Sequence, residues 1–118
     1  MLRAIRRRQE LLAAIAGVFD QVDLLLTPTT ATPAFIAEGP PPFEIAGQRV
    51  GGMGSVPFTA PFNVSGQPAV SIPAGTTTAG LPVGLHVVTR RHDEPLVLAA
   101  GLVAETNRPW PKLAPDYR

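Results

Sequence analysis

The sequence predicts an α/β fold in the order helix, strand, long loop, β-hairpin, helix. Three observations carry that reading. Apolar residues at helical spacing over 3–21 run into a short apolar block at 24–26, and a helix feeding a buried strand is an α/β pattern. Two extended segments, 68–75 and 82–88, are joined by a loop bounded by Gly75 and Gly80, as in a hairpin with a long turn. A second apolar segment, 93–107, closes the pattern before Pro109 and Pro111, neither of which can continue a helix.

In the first helix Ile5, Leu12, Ile15, Phe19 and Val22 fall near one face, with Arg3, Arg6, Arg7 and Glu10 mostly elsewhere. The arginine cluster reads as a solvated helix face, the alternative being a contact with an acidic partner surface. Leu24, Leu25 and Leu26, closed by Thr27 and Pro28, form a run short enough for a strand buried on both faces. Residues 31–56 hold Pro40, Pro41, Pro42, Gly51, Gly52 and Gly54. A loop of that length in a compact domain is usually functional or mobile. In the hairpin, Val83, Leu85 and Val87 share one face while Gly84, His86 and Val88 share the other, and Gly84 marks close packing or a bulge. Asp93 is placed to cap the last helix, Pro95 fits its first turn, and Leu96, Ala99, Ala100 and Val103 form its expected buried stripe.

Bulk properties exclude several classes of function. The chain has 118 residues, 45% hydrophobic and 16% charged, with net charge +1. This is one domain or a piece of one, too apolar for a disordered tail. One lysine, Lys112, and no broad basic patch argue against nucleic-acid binding. The absence of cysteine removes disulfides and thiolate metal sites, and suits the cytoplasm. No apolar run is long enough for a membrane span, and no secretory signal is expected.

No self-contained active site is legible. Ser55, Ser65 and Ser71 lack the flanking glycines of a nucleophile elbow, and none has lysine three residues on. Ser71, His86 and Asp93 can be assembled into a triad only on paper; Ser71 reads instead as a strand hydroxyl bonded within the sheet, and Ser65 before Gly66 as turn or cap chemistry. Asn63-Val64-Ser65 fits a glycosylation sequon without a secretory context. His86 and His92 do not share a metal-binding spacing, and Gly52-Met53-Gly54 lacks the preceding strand of a dinucleotide loop.

Three ordered blocks nevertheless carry a family pattern: Asp23 to Thr29 (DLLLTPT), Thr59 to Gly75 (TAPFNVSGQPAVSIPAG) and Gly80 to Leu85 (GLPVGL). Together with Arg108-Pro109-Trp110 they resemble the C-terminal end of amidase-signature enzymes, over about residues 3–110. The resemblance implies the C-terminal part of an α/β/α sandwich with a mixed sheet. It also implies hydrolysis or transfer at carboxamide C–N bonds by a Ser–cis-Ser–Lys triad, through a covalent acyl-enzyme and without cofactor or metal. The triad belongs to a Gly/Ser-rich region upstream of these blocks, so no catalytic residue carries over.

On this reading residues 1–118 are roughly the last quarter of an amidase, inactive alone, whose partner is the missing N-terminal portion or another copy. The alternative is a non-enzymatic module or split-enzyme piece completing a partner's sheet. In the family the segment before the Pro-Phe-Asn block approaches the substrate, which nominates Val56 and Thr59 as substrate-binding; ordinary loop and helix-start packing is the competing role. Glutamine-dependent tRNA amidotransferases carry an acid near the Val56 position, so valine disfavours glutamine as substrate. The family usually has Gln where His86 stands.

Overall fold

A computed structural model describes residues 1–111. The elements are α1 (Leu2–Phe19), β1 (Leu24–Pro28), β2 (Glu44–Ile45), β3 (Gln48–Arg49), α2 (Ala60–Ser65), β4 (Ala69–Thr76), β5 (Pro82–Thr89) and α3 (Glu94–Asn107). β1, β5 and β4 form one antiparallel sheet in that order. α1 and α2 cover one face, where Ile15, Phe19 and Phe62 pack on Val88 and Leu25. α3 covers the other, where Val97, Ala100 and Ala104 meet Val70, Ile72, Leu85 and Val87. The three layers, helix on sheet on helix, are the predicted α/β architecture.

The sheet register decides which backbone groups are free. Thr89 donates its N–H to the Pro68 carbonyl at 3.1 Å, and Thr29 donates to the Gly84 carbonyl at 3.0 Å. Hydrogen-bonded residues alternate along an antiparallel ladder. Val70 and Ile72 therefore bond to β5, while Ala69, Ser71 and Pro73 direct their backbone groups away from it. By the same count Leu25 and Thr27 bond to β5, and Leu24, Leu26 and Pro28 direct theirs outward. Both prolines thus occupy outward positions, where a missing N–H costs the sheet nothing. Thr89 Oγ1 donates to the Asp23 carbonyl at 3.1 Å and Arg90 reaches the Asp23 carboxylate at 2.6 Å, tying the start of β1 to the end of β5.

Three expectations are corrected. β1 is not buried on both faces: it is an edge strand, and Leu26 is 57% exposed. On α1, Ile15 and Phe19 are buried and Leu12 is half-buried, but Ile5 is exposed, as is Val22 beyond the end of the helix. On α3 only Val97 is buried, with Leu96, Ala100 and Ala104 half-buried, while Ala99 and Val103 are exposed. Asp93 holds the N-cap position of α3 but makes no side-chain capping bond.

The long loop contains more order than its composition suggests. β2 and β3 pair as a two-residue ribbon around Ala46 and Gly47, at φ 50° and 76°. Two consecutive positive φ values make the tight turn whose twist suits a hairpin. α2 begins with Pro61 in its first turn and stops at Gly66, which is left-handed at φ 76° and donates to the Phe62 carbonyl at 2.7 Å. Pro near the start and left-handed Gly at the end delimit this single short helix. Among the described residues no helix is long and apolar enough to cross a membrane.

Candidate functional site

The turn before α2 brings Val56 and Thr59 together. Val56 donates its N–H to the Met53 carbonyl at 3.1 Å, and its own carbonyl accepts from Ala60 N–H at 3.2 Å. Thr59 is the N-cap residue of α2, yet its hydroxyl turns back to the Val56 carbonyl at 3.5 Å rather than capping the helix. Both side chains are half-buried. Ala31 N–H bonds the Ser55 carbonyl at 3.0 Å and so anchors this turn to the chain leaving β1.

Beside this turn lies an open cavity of about 440 Å³, with Phe58, Ile45, Pro28 and Val83 among its apolar walls and Thr30 and Thr32 as polar ones; Val56 and Thr59 do not line it. Thr32 Oγ1 is buried without a hydrogen-bond partner, an uncommon state for a hydroxyl. The neighbouring Thr30 hydroxyl donates its proton to the Thr32 carbonyl at 2.8 Å.

Next to this cavity the sheet carries a row of polar side chains on its α1–α2 face. Ser71 and His86 are direct cross-strand partners, as are Thr27 and His86. They do not form a nucleophile–base pair. Ser71 Oγ lies 2.6 Å from Thr29 Oγ1, while His86 Nδ1 lies 3.2 Å from Thr27 Oγ1. Phe62 stacks obliquely on the His86 ring at 5.6 Å. Burial lowers the His86 pKa below its ordinary value, because desolvation disfavours the charged imidazolium. Gly84 completes the row: a Cβ there would lie 2.6 Å from both Ser71 Oγ and Thr29 Oγ1. Close packing, one of the two roles expected of Gly84, is the one it plays; the bulge falls across the ladder, between Pro73 and Gly75.

Ser65 is committed too. Ser65 is buried, with its hydroxyl donating to Gln67 Oε1 and lying 3.5 Å from the Phe62 carbonyl. Asp93 stands in the N-cap of α3 and has no bond to His86 among the described contacts. His92 sits in the turn after β5 at φ 66°. Lys112 lies outside the described residues. The Thr27–His86 and Thr29–Ser71 pairs were not anticipated individually; the Thr-Pro-Thr block after the leucines was the available signal.

The family model described as Amidase matches residues 1–98. The chain belongs to the amidase family. It is 40% identical over 113 residues to a Glutamyl-tRNA(Gln) amidotransferase subunit of Granulibacter bethesdensis, covering 92% of this chain and 22% of that relative. Among solved structures it superposes on a bacterial aryl acylamidase of the amidase signature enzymes with TM-score 0.77 at 34% identity, covering 87% of this chain and 22% of that one. It also superposes on 6-aminohexanoate cyclic dimer hydrolase, with TM-score 0.77 at 27% identity and 98% against 26% coverage. The α/β layers are therefore those of the amidase signature fold, and the chain spans less than a third of the length of these relatives.

Proposed function

We propose that this chain is the C-terminal segment of an amidase-family hydrolase acting on carboxamide C–N bonds, and that residues 1–118 act as one unit of it. The observation that carries the reading is the match over residues 1–98 to a family whose members here are about four times longer. In the complete enzyme the Ser–cis-Ser–Lys triad comes from other polypeptide, and a serine attacks the amide carbonyl to give an acyl-enzyme. This segment supplies scaffold and, at Val56 and Thr59, part of the substrate-facing wall. Valine at that point offers no charge to a glutamine side chain or amine, so a small amide other than glutamine is the favoured substrate class. A cytoplasmic location is part of this proposal, on the absence of cysteine from these 118 residues, with a small amide rather than nucleic acid or membrane as the proposed partner.

Taken alone the chain is expected to be inactive, a reading supported by the hydrogen bonds of Ser65 to Gln67 and of Ser71 to Thr29 rather than to a base. Incubating it with an aryl amide and an aliphatic amide should release no product above buffer. Hydrolysis that disappears on replacing Ser55, Ser65 or Ser71 with Ala would refute this. The two free sheet edges favour a second reading, a split-enzyme piece or a non-enzymatic module that completes a partner's sheet. A separate neighbouring gene encoding the Gly/Ser-rich signature would support the split enzyme; the same signature directly upstream, in frame or frameshifted, would support the first reading.

A further inference from the structure

Four separate segments build the open cavity of about 440 Å³ beside the Val56–Thr59 turn. The end of β1 with the loop that follows it, the β2–β3 ribbon, the turn before α2 and the start of β5 each contribute a wall. Backbone bonds hold these walls in place. Thr29 N–H reaches the Gly84 carbonyl at 3.0 Å, Ala31 N–H the Ser55 carbonyl at 3.0 Å, and Val50 N–H the Phe43 carbonyl at 2.8 Å. The cavity thus exists without a ligand to shape it, as small-molecule sites usually do.

Its walls define what it can hold. None of the residues lining it has an ionisable side chain. A carboxylate or ammonium placed inside would lose water and find no counter-charge, which is costly. Ile45, Val83 and three prolines supply apolar contact, and Phe58 offers a ring against which a second ring can pack. An apolar cavity of roughly 150 Å³ is enough for benzene, so this one has room for a ring together with its substituent. One polar group breaks the apolar pattern. Thr32 lines the cavity, and its Oγ1 is buried with no hydrogen-bond partner. A neutral ligand bearing a carbonyl would supply the acceptor that this hydroxyl lacks.

We infer that the cavity is a binding site for an uncharged aromatic amide, whose ring packs on Phe58 and whose carbonyl accepts from Thr32 after a turn of that side chain. That this amide is a substrate rests on the proposed function above, and it narrows the substrate class from small amides to uncharged aromatic ones. Phe58 stands between Val56 and Thr59 in the chain, so it joins the substrate-facing turn to the cavity. The same walls separate substrate from product. Benzamide and water give benzoate and ammonium, and both products carry a charge that the cavity cannot balance.

The test is to titrate this chain with benzamide, benzoate and glutamine and follow its backbone amide NMR shifts. Benzamide should give saturable shifts at Ala31, Thr32, Val83 and Gly84, with a Kd of about 1 mM or tighter. Benzoate and glutamine should bind at least about tenfold more weakly. Thr32→Val keeps the side-chain shape and removes a hydroxyl with no partner to lose. The fold should therefore stand, while benzamide affinity falls by about twofold to tenfold. Phe58→Ala should weaken benzamide binding by about tenfold, with circular dichroism to check the fold. Four results would each overturn the inference: no saturable shift at these residues in the folded chain, benzoate binding as tightly as benzamide, glutamine binding as tightly as benzamide, or undiminished benzamide affinity in folded Thr32→Val. Binding is read without hydrolysis, so the two readings fail separately. Benzamide binding by a chain with no Gly/Ser-rich signature encoded upstream or in a neighbouring gene upholds the cavity and counts against the proposed hydrolase; the signature without binding does the reverse.

Discussion

Replacing Gly84 with alanine isolates the tightest contact in the sheet. The new methyl would stand 2.6 Å from Ser71 Oγ and Thr29 Oγ1 and 3.2 Å from Thr29 Cβ. The oxygens must retreat by most of an ångström, and the 2.6 Å hydrogen bond between them cannot survive that movement. Overpacking of this kind costs about 1–3 kcal/mol, and loss of the bond about 0.5–1.5 kcal/mol. Gly84 is not among the positive-φ glycines, so the gain from a stiffer unfolded chain, about 0.4–1 kcal/mol, is available as an offset. The balance is a destabilisation of about 2 kcal/mol. Trp110, packed beside the α3 cluster, gives a fluorescence signal for urea unfolding, and the midpoint should fall by about 1 M. In a Thr29→Ala, Ser71→Ala background the oxygens are gone, and the cost of Gly84→Ala should drop below about 1 kcal/mol. An unchanged midpoint in the single variant, or the same cost in both backgrounds, would refute the steric argument.

Two further perturbations follow from the same sheet. Burial lowers the His86 pKa below its ordinary 6.5, so the unfolded chain binds the proton first: stability should be full above about pH 6.5, fall as pH drops from there through the folded pKa, and then level off. His86→Gln should remove that component from the pH dependence of urea unfolding; a curve of unchanged shape would assign it to other groups. The Arg90–Asp23 pair, at 2.6 Å, has side chains 50% and 81% exposed. Asp23→Ala should therefore shift stability by less than about 1 kcal/mol, and a larger loss in the same assay would mean that the pair is shielded from water.

Elements whose patterns were one-sided were legible from the residues, and those whose patterns were not could be mistaken. The hairpin was readable because Pro68, Gly75, Gly80 and Pro82 bracket two alternating runs. The buried side of α3 was not, because between Glu94 and Glu105 every residue from Leu96 to Ala104 is apolar or glycine; periodicity cannot choose a face on such a helix. The leucines of β1 announced a strand but could not say that it stands at the edge of the sheet. The β2–β3 turn was hidden by Ala46, which adopts a left-handed φ of 50° where Asn or Gly would have advertised it. α2 could have been found from Pro61 and Gly66, whose asymmetry marks its two ends. At the candidate site, Val56 and Thr59 were reached through family resemblance. Their meeting around one carbonyl depends on a backbone turn that residue types alone did not specify.

Pro28 and Pro73 stand at outward positions on opposite edges of one small sheet. A sheet with two open edges is a template on which identical copies can stack into a fibre. Here each edge offers the donors of Leu24 and Leu26, or of Ala69 and Ser71, and then meets a proline. An incoming copy in either register gains a short ladder before it reaches a residue with nothing to donate. Each proline thus limits the ladder that a like copy can build at its edge, while a short, correctly matched strand can still pair.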